Sequence, residues 1–92
     1  MKAHRAEDAR RFEDIPNVGP SIAADLRRLG LEHPAELKGQ DALDLYRRSC
    51  VVAGVRQDPC LLDVYLAAVR FMEGGPARPW WTFTPERKTL LG

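Results

Sequence analysis

Residues 14–26 read DIPNVGPSIAADL, a stretch in which proline, asparagine and glycine crowd together directly before an apolar helix. Asn is one of the few residues besides glycine that tolerate the left-handed backbone region. Asn17 and Gly19 lie on either side of Val18, so we predict a tight turn that Val18 anchors by pointing inward. Pro20 suits the first position of a helix, where an N–H group would have no intrahelical acceptor. The stretch therefore predicts a turn that leads without a gap into a helix.

The rest of the chain has the pattern of short helices, with no convincing strand. Apolar residues recur at helical spacing, prolines precede several of these segments and glycines follow them. The predicted fold class is all-α, a compact five-helix domain with helices at about 4–13, 20–29, 34–38, 41–53 and 59–72. The run 64–69 is apolar on nearly every side, so the last of these helices is expected to be central and buried.

Length and composition limit what the protein can be. A chain of 92 residues builds one small core, and 45% apolar with 29% charged residues is typical of soluble globular proteins. No apolar run approaches the roughly 18 residues of a membrane span, and no apolar stretch follows the basic N-terminus as in a secretory signal. We therefore expect a cytoplasmic protein without membrane contact. A net charge of +1 predicts that any nucleic-acid contact is local and weak.

We divide the chain into a helical domain, residues 1–75, and an aromatic, basic tail, residues 76–92, that packs on it. The tail contains the aromatic residues Trp80, Trp81 and Phe83 and the basic residues Arg78, Arg87 and Lys88. A small chain needs large side chains to cover its core, which is one interpretation of the aromatic residues. The alternatives are an anchor for a partner protein and stacking on single-stranded bases.

Candidate catalytic and metal-ligating residues are few. Cys50 and Cys60 lack the CxxC spacing of a zinc site, so they are either small buried apolar residues or a redox pair or disulfide. His4 and His33 stand alone, and no nucleophile–base arrangement is apparent. We predict neither enzymatic activity nor a bound metal, and we expect Asp63, on the most apolar helix, to face a partner such as an arginine or a helix end.

The turn at residues 14–26 is the strongest candidate for a binding site. Backbone amides on both sides of Val18 are expected to turn outward beside a helix N-terminus, which carries unpaired N–H groups and a partial positive charge. Oriented amides at a helix N-terminus bind anions, most often phosphate. The alternative is a compact connector that binds nothing.

This stretch resembles the helix-hairpin-helix motif of proteins that bind DNA without sequence preference. In that family the turn reads Gly-apolar-Gly, often followed by Pro-Ser or Pro-Lys, as in the hairpins of DNA polymerase beta. Residues 17–19 fit the pattern with Asn17 in place of the first glycine, and Pro-Ser follows them. The resemblance implies that the amides near Asn17, Gly19 and Ile22 hold a phosphate, assisted by the Ser21 hydroxyl.

The resemblance also concerns a cation and two charged side chains. Some hairpins of this family hold a monovalent cation on backbone carbonyls, which here would be those of Glu13, Ile15 and Val18; no other cofactor is expected. Asp25 follows one turn after the hairpin, where family members often have a basic residue, and a carboxylate there would repel phosphate. Arg28 lies one further turn along and compensates in part.

Helix-hairpin-helix units that bind duplex DNA usually come in pairs joined by a connector helix. The predicted order of helices matches that plan, with one intact and one degenerate hairpin. The second turn, AGVRQDP, keeps Gly54 and Val55 but lacks the Gly-apolar-Gly spacing. Arg56 either contacts a phosphate from this turn or pairs with Asp58 on the surface.

A wider resemblance covers the chain from about Phe12 to Phe83. The stretches IPNVGPSIAADLRRLGL, ELKGQDALDLY, CVVAGVRQDPC and WWTF are similar to those of a family of small bacterial proteins, the pathogenicity-locus or mitomycin-resistance family. Membership implies a bacterial source, a helical fold with a helix-hairpin-helix domain, and suspected DNA binding without an established reaction.

These observations predict non-sequence-specific DNA binding through the phosphate backbone. The expected contact residues are Asn17, Gly19, Ser21, Ile22, Arg28 and Arg56. With a single intact hairpin, the affinity should lie at about 10⁻⁴–10⁻⁶ M, as in other non-specific complexes. The alternative is a protein–protein interaction module, in which the hairpin is architectural and Trp80, Trp81 and Phe83 bind a partner or mediate dimerisation.

Overall fold

The computed structural model describes residues 2–92. Within this range the chain forms four α-helices and four short 3₁₀ turns, and no β-strand. The helices are α1 (Pro20–Arg28), α2 (Ala42–Ala53), α3 (Cys60–Met72) and α4 (Thr84–Leu91). The 3₁₀ turns are Ala6–Asp8, Phe12–Asp14, Pro34–Leu37 and Trp80–Phe83. The all-α class predicted from the sequence is confirmed.

Helix α3 forms the centre of the protein. Nearly all of its residues are buried, because α2, α4 and the turn Trp80–Phe83 pack around it. Tyr65 and Leu62 are completely shielded from solvent. The apolar run at 64–69 therefore marked the central helix correctly.

The N-terminal segment differs from the prediction of a helix over residues 4–13. It forms two 3₁₀ turns separated by extended backbone, with φ of −131° at Arg11. The Asp14 carboxylate accepts hydrogen bonds from the amides of Arg10 and Arg11, each at 3.0 Å. These amides are thus bound to a side chain and not to helical carbonyls, while Ala9 and Phe12 still reach the core.

The segment after Gly75 also differs, because its last residues form a helix, α4, that the sequence did not predict. Asp63 on α3 is completely buried, and its Oδ1 accepts a hydrogen bond from Arg87 Nε at 2.8 Å. Its Oδ2 accepts from the Thr84 hydroxyl at 2.6 Å. The expectation that Asp63 faces an arginine is confirmed, and this arginine fixes α4 to the central helix.

Cys50 and Cys60 are unpaired and half-buried. The sulfur of Cys50 accepts a hydrogen bond from the Gln57 amide at 3.3 Å. Burial raises the pKa of the Cys60 thiol, and the neighbouring Asp58 acts in the same direction. A raised pKa keeps the thiol protonated at neutral pH, which is the less reactive form.

Candidate functional site

The turn at residues 15–18 has the geometry that its sequence predicts. Asn17 has φ of +73° and is the one non-glycine residue with positive φ among residues 2–92. Ile15 and Val18 are completely buried, and the Val18 amide donates to the Ile15 carbonyl at 3.1 Å. The two apolar side chains thus hold the turn against the core.

Gly19 lies between the turn and α1 in an ordinary extended conformation, with φ of −96° and ψ of −176°. A Cβ atom built at this position would meet no atom within 4 Å. Neither backbone conformation nor packing therefore requires glycine here. The effect of the missing side chain is to leave the space beside the helix N-terminus open.

The N-terminus of α1 has no side-chain cap. The Ala23 amide donates to the Gly19 carbonyl at 2.9 Å, which is the first hydrogen bond of the helix. Within residues 2–92, the amides of Gly19, Ser21 and Ile22 have no hydrogen-bond acceptor. Ser21 is exposed beside them. The structure thus brings together three amides that have no acceptor among the described residues and an exposed serine.

The side chain of Asn17 is not free to bind a ligand, because it holds the C-terminal tail. Its Nδ2 donates to the Arg78 carbonyl at 2.8 Å, and its Oδ1 accepts from the Trp80 amide at 3.2 Å. The backbone of Arg78 therefore lies against the turn. Sequence reasoning missed this neighbour because the two residues are 61 positions apart and no local pattern connects them.

Asp25, the carboxylate expected to oppose phosphate, pairs with Arg28 at 2.8 Å. Both residues line a groove of about 160 Å³ between α1 and the end of α2, which Ser49 and Gln57 also line. The pairing offsets the negative charge of Asp25 and engages the guanidinium group of Arg28. Arg28 is thus placed in this groove and bound to a carboxylate.

Arg56 in the second turn is exposed and forms no ion pair with Asp58 in the described part of the chain. The Asp58 carboxylate instead accepts a hydrogen bond from the Cys60 amide at 2.8 Å. The next residue, Gln57, lines the same groove as Arg28, so the second turn lies close to α1.

The three tail aromatics have different environments. Phe83 is buried, Trp80 is half-buried, and Trp81 is 60% exposed. The two indole rings meet edge to face with centroids 5.8 Å apart, and the Arg78 guanidinium lies 4.8 Å from the centre of the Phe83 ring. Phe83 therefore covers the core, whereas Trp81 remains available at the surface.

Lys2 is an exposed residue whose side chain reaches the backbone of the turn. Its ammonium group donates to the carbonyls of Glu13 at 2.8 Å and Ile15 at 3.0 Å, and also to that of Val18. These are the carbonyls that the hairpin resemblance assigns to a monovalent cation. Because the Lys2 ammonium group already occupies these three carbonyls, they cannot hold a free cation at the same time.

The Glu13 side chain braces the turn from its other side. Its carboxylate accepts two hydrogen bonds from Arg27, at 2.8 and 3.1 Å. This bidentate pair with Arg27 lowers the pKa of Glu13 to about 2. Glu13 therefore stays charged at neutral pH and connects the segment before the turn to the end of α1.

A buried hydroxyl pair below the groove leads to a pH prediction. The Tyr65 and Ser49 hydroxyls are 2.7 Å apart, and burial raises the pKa of Tyr65 to about 12. The folded-state pKa of Tyr65 lies above the unfolded value of about 10. The contribution of the protonated Tyr65 hydroxyl to folding stability is therefore complete below pH 10 and is lost as the pH rises through about 12. Burial also raises the pKa of Tyr46.

In an ultraviolet titration of the folded protein, we therefore expect no tyrosinate absorbance until the pH exceeds about 10. Both tyrosines should titrate near 10 in denaturant, and Tyr65→Phe should remove the step at highest pH. Tyrosinate forming near pH 10 while circular dichroism still shows a folded protein would contradict the burial of these hydroxyls.

Two further classes of site are not found among the residues that the structure describes. No group of three or more His, Cys, Asp and Glu side chains is arranged to hold a metal ion within residues 2–92. No helix in the same range has both the length and the apolar character needed to cross a bilayer.

The fold and the turn first define a class: a small all-α protein in which a tight turn leads into an uncapped helix N-terminus.

Sequence comparison then identifies the family. Residues 5–89 match the Cdd1 family, described as pathogenicity locus. The chain is 45% identical over 86 residues to the mitomycin resistance protein McrB of Streptomyces lavendulae, covering 94% of this chain and 82% of that protein. The protein belongs to the Cdd1 pathogenicity locus family, as its sequence resemblance indicated. No solved structure matches the chain significantly.

Proposed function

We propose that this protein binds DNA without sequence preference, through phosphate contacts at the N-terminus of α1. The observation that carries this proposal is that position 19 is a glycine although neither its backbone conformation nor the packing around it requires one. A glycine of this kind is useful where a ligand approaches the backbone closely. A phosphate at this position would accept hydrogen bonds from the free amides and from the Ser21 hydroxyl.

The charges around the turn support a weak contact. Arg27 and Arg28 next to it are paired with Glu13 and Asp25, so neither is free to bind a phosphate without losing a partner. Arg78, whose backbone the turn holds, forms no ion pair with any described residue. We therefore add Arg78 to the contact residues expected from the sequence. With few free cations, log K should fall with log salt at a shallow slope.

Substitutions at the turn should separate binding from folding. A Cβ at Gly19 meets no atom within 4 Å and the backbone there is extended, which suits the β-branched side chain of Gly19→Val; a glutamate at position 21 interacts favourably with the helix N-terminus. We expect the free energy of unfolding of both variants to lie within about 1 kcal/mol of that of the parent. Binding of labelled DNA, measured by fluorescence anisotropy across a salt series, should weaken at least about tenfold, the effect of one lost charge-assisted hydrogen bond.

Thr89→Glu provides the matched control for Ser21→Glu. It makes the same change of charge at an exposed residue on α4 and should affect DNA binding only slightly. Equal binding by the parent, Gly19→Val and Ser21→Glu would exclude the turn as the site. The absence of any binding at low salt would exclude the proposal as a whole.

A second candidate function, a protein–protein interaction module, is favoured by exposed apolar side chains near the second turn. Val51, Val52 and Val55 are 80%, 53% and 63% exposed, and exposed apolar patches mark interaction sites in other proteins. On this hypothesis the α1 turn is architectural, and either these valines or Trp81 contact a partner or a second copy.

Sedimentation velocity distinguishes the two hypotheses. The interaction hypothesis predicts a salt-independent dimer, or a stable complex with a partner, that Val51→Lys or Trp81→Lys disrupts and that Ser21→Glu leaves intact. DNA binding predicts the reverse pattern, with the turn variants defective and the lysine variants unimpaired.

A further inference from the structure

Three backbone carbonyls, in and just before the turn at residues 15–18, converge on a single ammonium group. Lys2 Nζ lies 2.8 Å from the Glu13 oxygen and 3.0 Å from the Ile15 oxygen, and it also donates to the Val18 oxygen. A lysine ammonium has three N–H donors and accepts nothing. Each proton of Lys2 thus has one carbonyl partner, so the group is fully coordinated by the turn.

The first residues of the chain are held in place for this contact. The Ala3 amide donates to the Asp14 carbonyl at 2.7 Å, which aligns the segment with the turn. Ala3 and Ala6 pack against the core. Partial burial lowers the pKa of the Lys2 ammonium, while the carboxylates of Asp14 and Glu13 act in the opposite direction. The charge is therefore supported by two nearby acidic groups as well as by the carbonyls.

We propose that the Lys2 ammonium is the built-in cation of this turn and takes the place that a dissolved monovalent cation would otherwise fill. Carbonyl oxygens that replace the hydration shell of an ion are the usual means by which proteins hold K⁺. An ammonium group is likewise a compact single positive charge, and here it is tethered to the chain. Tethering gives it a high effective concentration at the site, so a free ion does not compete.

Two consequences follow for the protein. The turn that presents the α1 amides keeps its conformation whatever monovalent salt is present. The first residues of the chain also become part of the turn, because they carry the cation that its three carbonyls require. This inference concerns the turn itself, and its test does not involve DNA, so it stands or fails separately from the proposed function.

Thermal unfolding in different salts tests the proposal. The untagged parent, Lys2→Ala and the control Lys38→Ala are compared in KCl, NaCl and tetramethylammonium chloride at equal ionic strength. Lys38 is exposed and forms no ion pair with a described residue, so its substitution makes the same change of charge at a neutral site. Tetramethylammonium is too large to enter a ring of carbonyls.

We expect the parent and Lys38→Ala to have the same Tm in all three salts. Lys2→Ala should have a Tm at least about 5 °C lower in tetramethylammonium chloride, the scale of one lost interaction in a domain of this size. KCl or NaCl should restore part of that loss, because alanine leaves the carbonyls open to an ion.

Three results would overturn the proposal. A parent that is more stable in KCl than in tetramethylammonium chloride would mean that an ion, not Lys2, fills the turn. An unchanged Tm of Lys2→Ala in tetramethylammonium chloride would mean that the turn needs no cation. A loss that neither K⁺ nor Na⁺ restores would mean that the position is not equivalent to a monovalent cation site.

Discussion

Replacing Asp63 by alanine is expected to destabilise the protein by about 3–5 kcal/mol, the cost of breaking a buried ion pair by removing one partner. Asp63 is completely buried, and Arg87, its partner at 2.8 Å, is only 17% exposed. The same carboxylate also holds the Thr84 hydroxyl. Loss of Asp63 therefore removes these partners of Arg87 and Thr84 and should loosen α4 from α3, which then remain joined by the more exposed Arg70–Glu86 pair.

Urea unfolding measures the stability loss, and tryptophan fluorescence follows the tail directly. Both tryptophans of the chain, Trp80 and Trp81, lie in the tail, so its release should shift their emission to longer wavelength. The double variant Asp63→Ala/Arg87→Ala should lose less stability than the sum of the losses of the two single variants, because it leaves no unpaired charge. Additive losses would show that the two side chains do not interact.

The second large effect is expected for Gly75→Ala, at the end of α3. A Cβ at position 75 would lie 2.8 Å from the Arg70 carbonyl oxygen and 3.4 Å from its carbon, both backbone atoms that cannot move aside cheaply. The Gly75 amide donates to the same oxygen at 2.9 Å, in the pattern that ends many helices. Relieving the clash requires breaking this bond or shifting the helix end, which should cost about 1–3 kcal/mol.

Gly19→Ala is the matched comparison for Gly75→Ala. The substituent is the same, but a Cβ at position 19 meets no atom within 4 Å. Chemical denaturation should therefore show a clear loss of stability for Gly75→Ala and almost none for Gly19→Ala. Similar losses at both positions would mean that Gly19 serves the fold and would weaken the argument for a ligand beside it.

The local features of the candidate site could be predicted from the sequence because each depends on neighbouring residues. Asn17 adopts the left-handed conformation, Val18 is buried, and α1 begins at Pro20. Proline restricts the backbone dihedral angles at its own position, whereas asparagine and glycine allow additional ones. Their effect on the conformation can therefore be predicted from a short stretch of sequence. The central position of α3 was predictable for a similar reason, since a helix that is apolar on all sides must be covered.

The prediction was wrong where a distant or polar contact decided the structure. The expected helix at 4–13 gives way to two 3₁₀ turns because the Asp14 carboxylate binds the amides of Arg10 and Arg11. Helix α4 was missed because its anchor, Asp63, lies on another helix. Side-chain hydrogen bonds of this kind compete with regular backbone bonding and leave little trace in apolar periodicity.

The sequence by itself therefore determined the helical class, the turn before α1 and the family to which the chain belongs. Only the tertiary structure decided what surrounds that turn. It places Lys2 on the turn carbonyls, the Arg78 backbone on the Asn17 side chain, and Asp25 against Arg28. The physical reason is range: backbone conformation is set within a few residues, whereas the partners of a charged or amide side chain are chosen by the packing of segments far apart in the chain.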